Sequence, residues 1–81
     1  MFDRKGEGDF MVLSKVKVGQ TKSIAKVEGK DKTKNFLFSL GCSEGEKITL
    51  ISILAGNYIV NIKDSRYALD ESMAKAIVLA D

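Results

Sequence analysis

The stretch Lys47-Ile48-Thr49-Leu50-Ile51-Ser52-Ile53-Leu54-Ala55-Gly56-Asn57-Tyr58-Ile59-Val60-Asn61-Ile62 decides the fold. Its first half is dense in Ile, Thr and Leu, side chains that fit a pleated, half-buried surface, so Lys47–Leu54 reads as the strongest strand of the chain. Ala55-Gly56-Asn57 interrupts the run as a hairpin-type loop. Tyr58 to Ile62 then alternates, with Tyr58, Val60 and Ile62 on one side. Two strands joined by a tight loop, in a chain of 81 residues, lead to the expectation of one small β-rich domain.

Toward the C-terminus, Lys63-Asp64-Ser65-Arg66 reads as a turn and Tyr67-Ala68-Leu69 as a short strand. Asp70 is placed to cap one helical turn over Glu71–Ala74, and Ala76 to Leu79 forms a last strand. Toward the N-terminus, Ser43-Glu44-Gly45-Glu46 is a turn. A helix is expected from Lys32 to Leu40, with Asp31 as its N-cap and Gly41 as a left-handed terminator. Phe36, Leu37 and Leu40, at i, i+1 and i+4, read as its apolar face. Phe38 falls roughly opposite. Thr21 to Glu28 reads as a strand with Ile24 and Val27 as its largest apolar residues. Gly19-Gln20 turns the chain, and Leu13 to Val18 alternates weakly. Residues 1–10 are polar, show no period and read as a disordered arm, so the domain is expected over 11–81. The fold class is therefore all-β, with five or six short strands, one inserted α-helix and a short helical turn near the C-terminus. Such strands favour a small closed barrel or sandwich, which also limits exposed strand edges.

Composition narrows the chemistry. The formal net charge is +2, but residues 1–34 hold the excess of lysine, including Lys22, Lys26, Lys30, Lys32 and Lys34. That spread is the usual solvated surface of a soluble domain. Histidine is absent, which removes the commonest general base and metal ligand and excludes Cys–His and Ser–His pairs. The one cysteine, Cys42, excludes an internal disulfide and follows a glycine, as a small packing residue often does. Glu44 with Glu46, and Asp70 with Glu71, serve turns and caps more simply than they serve a metal. Gly6-Glu7-Gly8 is acidic and no phosphate loop follows it. No catalytic set, metal site or cofactor is expected, and the protein is read as a binding module and not an enzyme. No apolar run is long enough to span a bilayer, no secretory signal opens the chain, and a cytoplasmic location is expected. Nucleic-acid binding is not expected, because Phe36 and at least one of Tyr58 and Tyr67 read as core.

The chain from Leu13 to Leu79 resembles the FeoA family, small cytoplasmic proteins of bacterial ferrous iron transport. Leu13-Ser14-Lys15-Val16-Lys17-Val18-Gly19-Gln20 is similar to the family's opening Leu-x-x-Leu-x-x-Gly-Gln. Leu37-Phe38-Ser39-Leu40-Gly41-Cys42-Ser43-Glu44-Gly45 is similar to its helix end, Leu-x-Asp-Leu-Gly-Leu-x-Pro-Gly. Tyr67-Ala68-Leu69 and Ala74 to Val78 resemble its closing segments. The chain departs from the pattern where Asn35 and Phe36 stand at two arginine positions, Ser39 at the aspartate and Glu44 at the proline. The loop Ala55-Gly56-Asn57 is also shorter than the family's. The resemblance implies an SH3-like barrel and a family-level association with transition metal ions. It also implies a partner, the FeoB-type ferrous iron transporter, on which this protein would dock as an accessory or regulator. The expected contact surface is the helix end with the neighbouring hairpin: Lys34, Asn35, Phe38, Cys42, Asn57 and Tyr58. The alternative is an SH3-like peptide- or nucleic-acid-binding module unrelated to iron.

Overall fold

The computed structural model describes residues 10–80. It contains β1 (Phe10–Val12), a 3-10 turn (Leu13–Lys15), β2 (Thr21–Val27), α1 (Asp31–Ser39), β3 (Lys47–Leu54), β4 (Asn57–Ile62), β5 (Ser65–Leu69), α2 (Glu71–Ala76) and β6 (Ile77–Ala80). The arm expected over residues 1–10 lies outside the described residues except for Phe10, which belongs to β1.

β3 and β4 form the hairpin that their composition dictates, with Ile48 opposite Ile62, Leu50 opposite Val60 and Leu54 opposite Asn57. Asn57 is thus the first residue of β4 and not part of the loop, which is Ala55-Gly56 alone. Both loop residues have positive φ, 50° and 82°, the primed turn whose twist matches that of the flanking strands. Lys63 and Asp64, φ 49° and 67°, make the second tight hairpin, between β4 and β5, where Ile62 pairs with Ser65.

All pairings are antiparallel, and the six strands lie in the order β1-β6-β2-β3-β4-β5. β1 and β5 end the sheet, so among the described residues it does not close through hydrogen bonds. α2 bridges the two ends and touches β1, β4, β5, β6 and the 3-10 turn. This is a small SH3-like β fold with two short helices.

Two irregularities reconcile the sequence with a single apolar interior. Ile24 and Val27 are three positions apart, which strict alternation would send to opposite faces. The register shifts between Ile24 and Lys26, so Ala25 is an extra residue and both Ile24 and Val27 face inward. A second shift between Leu50 and Ser52 ends the buried part of β3, and Ile53 and Leu54 beyond it are exposed. The interior holds Leu13, Ile24, Leu37, Cys42, Ile48, Leu50, Val60, Ile62, Leu69, Ala74, Ile77 and Leu79, all within a few per cent of full burial.

β1 escapes sequence reading because three residues carry no period. It exists through its partner, Phe10–Val12 pairing with Val78–Ala80 of β6. The N-cap of α1 also differs from expectation. Lys30 holds that position with no side-chain hydrogen bond, and Asp31 is the first helical residue. There its carboxylate faces the positive end of the helix dipole. Asp70 behaves as expected, its Oδ1 accepting from the Met73 N–H at 2.9 Å.

Candidate functional site

α1 enters the domain between β2 and β3 and turns one side to the interior. Leu37 is fully buried, and Thr33, Lys34 and Leu40 are half-buried. Its end is fixed by backbone hydrogen bonds that the last turn of a helix otherwise leaves unmade. The Gly41 N–H donates to Phe38 O at 3.0 Å and the Cys42 N–H to Leu37 O at 3.0 Å. This double closure needs a left-handed residue at its centre, and Gly41 supplies it with φ 103°. A Cβ on Gly41 would also sit 3.3 Å from Ile62 Cγ2. The Ser39 hydroxyl closes the turn from the side, donating to Phe36 O at 2.6 Å.

That geometry settles the place of Cys42. It occupies the position where the motif puts an apolar contact against Leu37, and it has no exposed surface. Burial pushes its thiol up to about 11, far from a reactive thiolate. Cys42 is a core residue, and its expected part in a contact surface is corrected.

Of the remaining expected contact residues, Asn35 and Phe38 are exposed on α1 and Lys34 is half-buried beside them. Phe38 shows 49% of its surface. Asn57 is exposed, and Tyr58 is half-buried against the core. These two do not join the others. The end of α1 rests by Ile62 and Lys63, at the β4–β5 turn. Asn57 and Tyr58 lie at the other end of β4, about 16 Å and about 13 Å from Ile62 along the strand. The expected surface is therefore two separate ones. At the far end Ile53 and Leu54 are the exposed apolar neighbours, 46% and 62% exposed.

Phe36 overturns a second expectation. Read as core, it is 44% exposed. The inward direction of α1 is that of Leu37, and Phe36 stands about 100° from it around the helix. The spacing alone did not show this, since Phe36, Leu40 and Leu37 fall within one arc of about 100° that a helix can turn inward as a whole.

An open depression of about 420 Å³ lies elsewhere, against Ala25, Lys26, Glu28, Glu44 and Val78. Its rim is charged, and Lys26 Nζ lies 3.0 Å from Glu28 Oε2. Among the described residues no three of His, Cys, Asp and Glu come together to hold a metal ion, and no helix is long and apolar enough to cross a membrane.

Residues 11–81 match the model of the FeoA domain. No curated protein sequence matches. Among solved structures, an iron uptake regulatory protein (FeoA) is 20% identical, with a TM-score of 0.80 over 86% of this chain and 93% of that one. The FeoA of Stenotrophomonas maltophilia, solved with zinc and described as a procaryotic SH3 domain protein, is 24% identical, with a TM-score of 0.77 over 85% of this chain and 88% of that one. A manganese-dependent transcriptional repressor is 20% identical, with a TM-score of 0.82 over 89% of this chain but only 41% of its own. At these identities the structural likeness shows the shared fold.

Proposed function

Because this chain belongs to the FeoA family, we propose that it is an accessory protein of ferrous iron transport that docks on the cytoplasmic part of a FeoB-type transporter. The observation that carries the reading is the exposure of phenyl side chains on α1 in a domain whose interior is otherwise complete. Monomeric domains leave single apolar residues exposed without consequence, but aromatics are the side chains that anchor interfaces. Lys34, Asn35 and Phe38 form the docking surface in this reading. Asn57 and Tyr58, with Ile53 and Leu54, form a second surface at the far end of the sheet. A regulatory role and not a catalytic one is supported by the absence of histidine and by the inertness of the buried thiol. A cytoplasmic location accords with that same unpaired cysteine.

The test is a binding titration of the purified protein against the full-length cognate transporter in nanodiscs, with and without a GTP analogue. Saturable binding that Phe38→Asp abolishes supports the reading. No binding in either nucleotide state overturns it.

A further inference from the structure

Phe36 and Phe38 are two positions apart, so they project about 160° from one another around α1. Between them, on the outward side, lie Asp31, Asn35 and Ser39, with Lys32 next to Phe36, all exposed. Phe36 is 44% exposed and Phe38 49%, nearly equal on the two flanks. Each phenyl has a lysine one turn before it, Lys32 before Phe36 and Lys34 before Phe38, the spacing that sets side chains together on a helix. Each flank therefore carries an aromatic ring and an ammonium group, Lys32 exposed and Lys34 half-buried, on either side of a polar ridge. Lys30 adds a third cation at the helix start, and Asp31 is the one carboxylate in α1.

A flat partner laid on this helix would meet the polar ridge and at most one ring. We propose that the partner straddles α1: it presents a groove with two apolar walls, one for Phe36 and one for Phe38, and carboxylates at the groove lips opposite Lys32 and Lys34. The inference rests on the docking reading above and names the chemistry of the partner surface. Charge complementarity fixes the sign of the lips, because the exposed cations outnumber the one acid on α1. The apolar walls follow from the rings, whose burial on both flanks is what makes a partly exposed helix worth gripping.

The experiment compares affinities for the transporter in nanodiscs across Phe36→Ser, Phe38→Ser, Lys32→Glu, Lys34→Glu and Ser72→Ala. Amide spectra confirm that each variant is folded, the expected state for sites that are exposed or, at Lys34, half-buried. Each phenylalanine variant weakens binding by about tenfold or more. Each lysine reversal weakens it and flattens its salt dependence. Ser72→Ala, an exposed position on α2 outside the docking surface, stays close to the parent. If one phenylalanine variant abolishes binding and the other binds like the parent, the contact is one-sided: straddling fails while docking through α1 stands. If both bind like the parent, docking through α1 fails as well.

Discussion

The two helices of this small domain are built on opposite terms. α2 is capped by Asp70, buries Ala74 and Ala76, packs Met73 against the interior and touches both ends of the sheet. Its residues are those that a plug between β1 and β5 requires: small where the strands approach, polar only on the outside. α1 is longer, yet it buries one residue, Leu37, has no side-chain N-cap, and has α2 as its principal neighbour. Its outward residues are not dictated by the fold. In the docking reading proposed above, the exposed aromatic side chains of so loosely employed a helix serve a partner.

The sharpest break of this comparison is at the single inward residue of α1. Leu37→Ala should cost about 2–5 kcal/mol, because Leu37 is fully enclosed and leaves a cavity. A loss below about 1 kcal/mol in chemical denaturation would mean that α1 is barely anchored at all.

Cys42 should give the next largest effect, and one that depends on pH. Its folded-state pKa, about 11, stands above the ordinary value of 9.0. The stability it contributes is therefore fully present below pH 9 and lost as pH rises through 11. Denaturation midpoints should fall less steeply over that range in Cys42→Val than in the parent. The native thiol should also resist alkylation at neutral pH until the domain opens.

Gly41→Ala tests the helix end, where both a positive φ and the nearby Ile62 oppose a side chain. A cost of about 1–2 kcal/mol is expected, measurable by thermal unfolding. The two N-termini should respond in opposite directions. Asp70→Ala costs about 1 kcal/mol, and Lys30→Ser, which adds a cap where α1 has none, stabilises by a smaller amount. Smallest of all, Phe36→Ser and Phe38→Ser should move stability by no more than about 0.5 kcal/mol while strongly weakening docking.

Much of this fold was legible in the sequence because period and punctuation agree. The β3–β4 hairpin, the Asp70 cap, the Gly41 terminator and the strand of Lys47–Leu54 all follow from local chemistry. What was not legible depends on tertiary pairing. β1 exists only because β6 lies beside it, and the bulge at Ala25 shows only in the register of β2 against β6. The candidate site divided in the same way. Phe38 was legible from the helical angle alone. Phe36 was read as core and is exposed; Cys42, read from its surroundings as a small packing residue but also placed in the expected contact surface, is buried. The inward direction of α1 is set by where Leu37 meets the interior, and no helical wheel contains that. The separation of Asn57 and Tyr58 from the helix end likewise depends on which end of β4 the helix reaches.

The central claim, that α1 is a presented surface and α2 a structural one, is tested most directly by amide-shift mapping. The labelled protein is titrated with the cytoplasmic GTP-binding domain of the cognate transporter, with a GTP analogue present. The account predicts shifts concentrated on Lys32–Ser39, with α2 and β6 unmoved. Shifts centred on α2 and β6, with α1 unmoved, would contradict it.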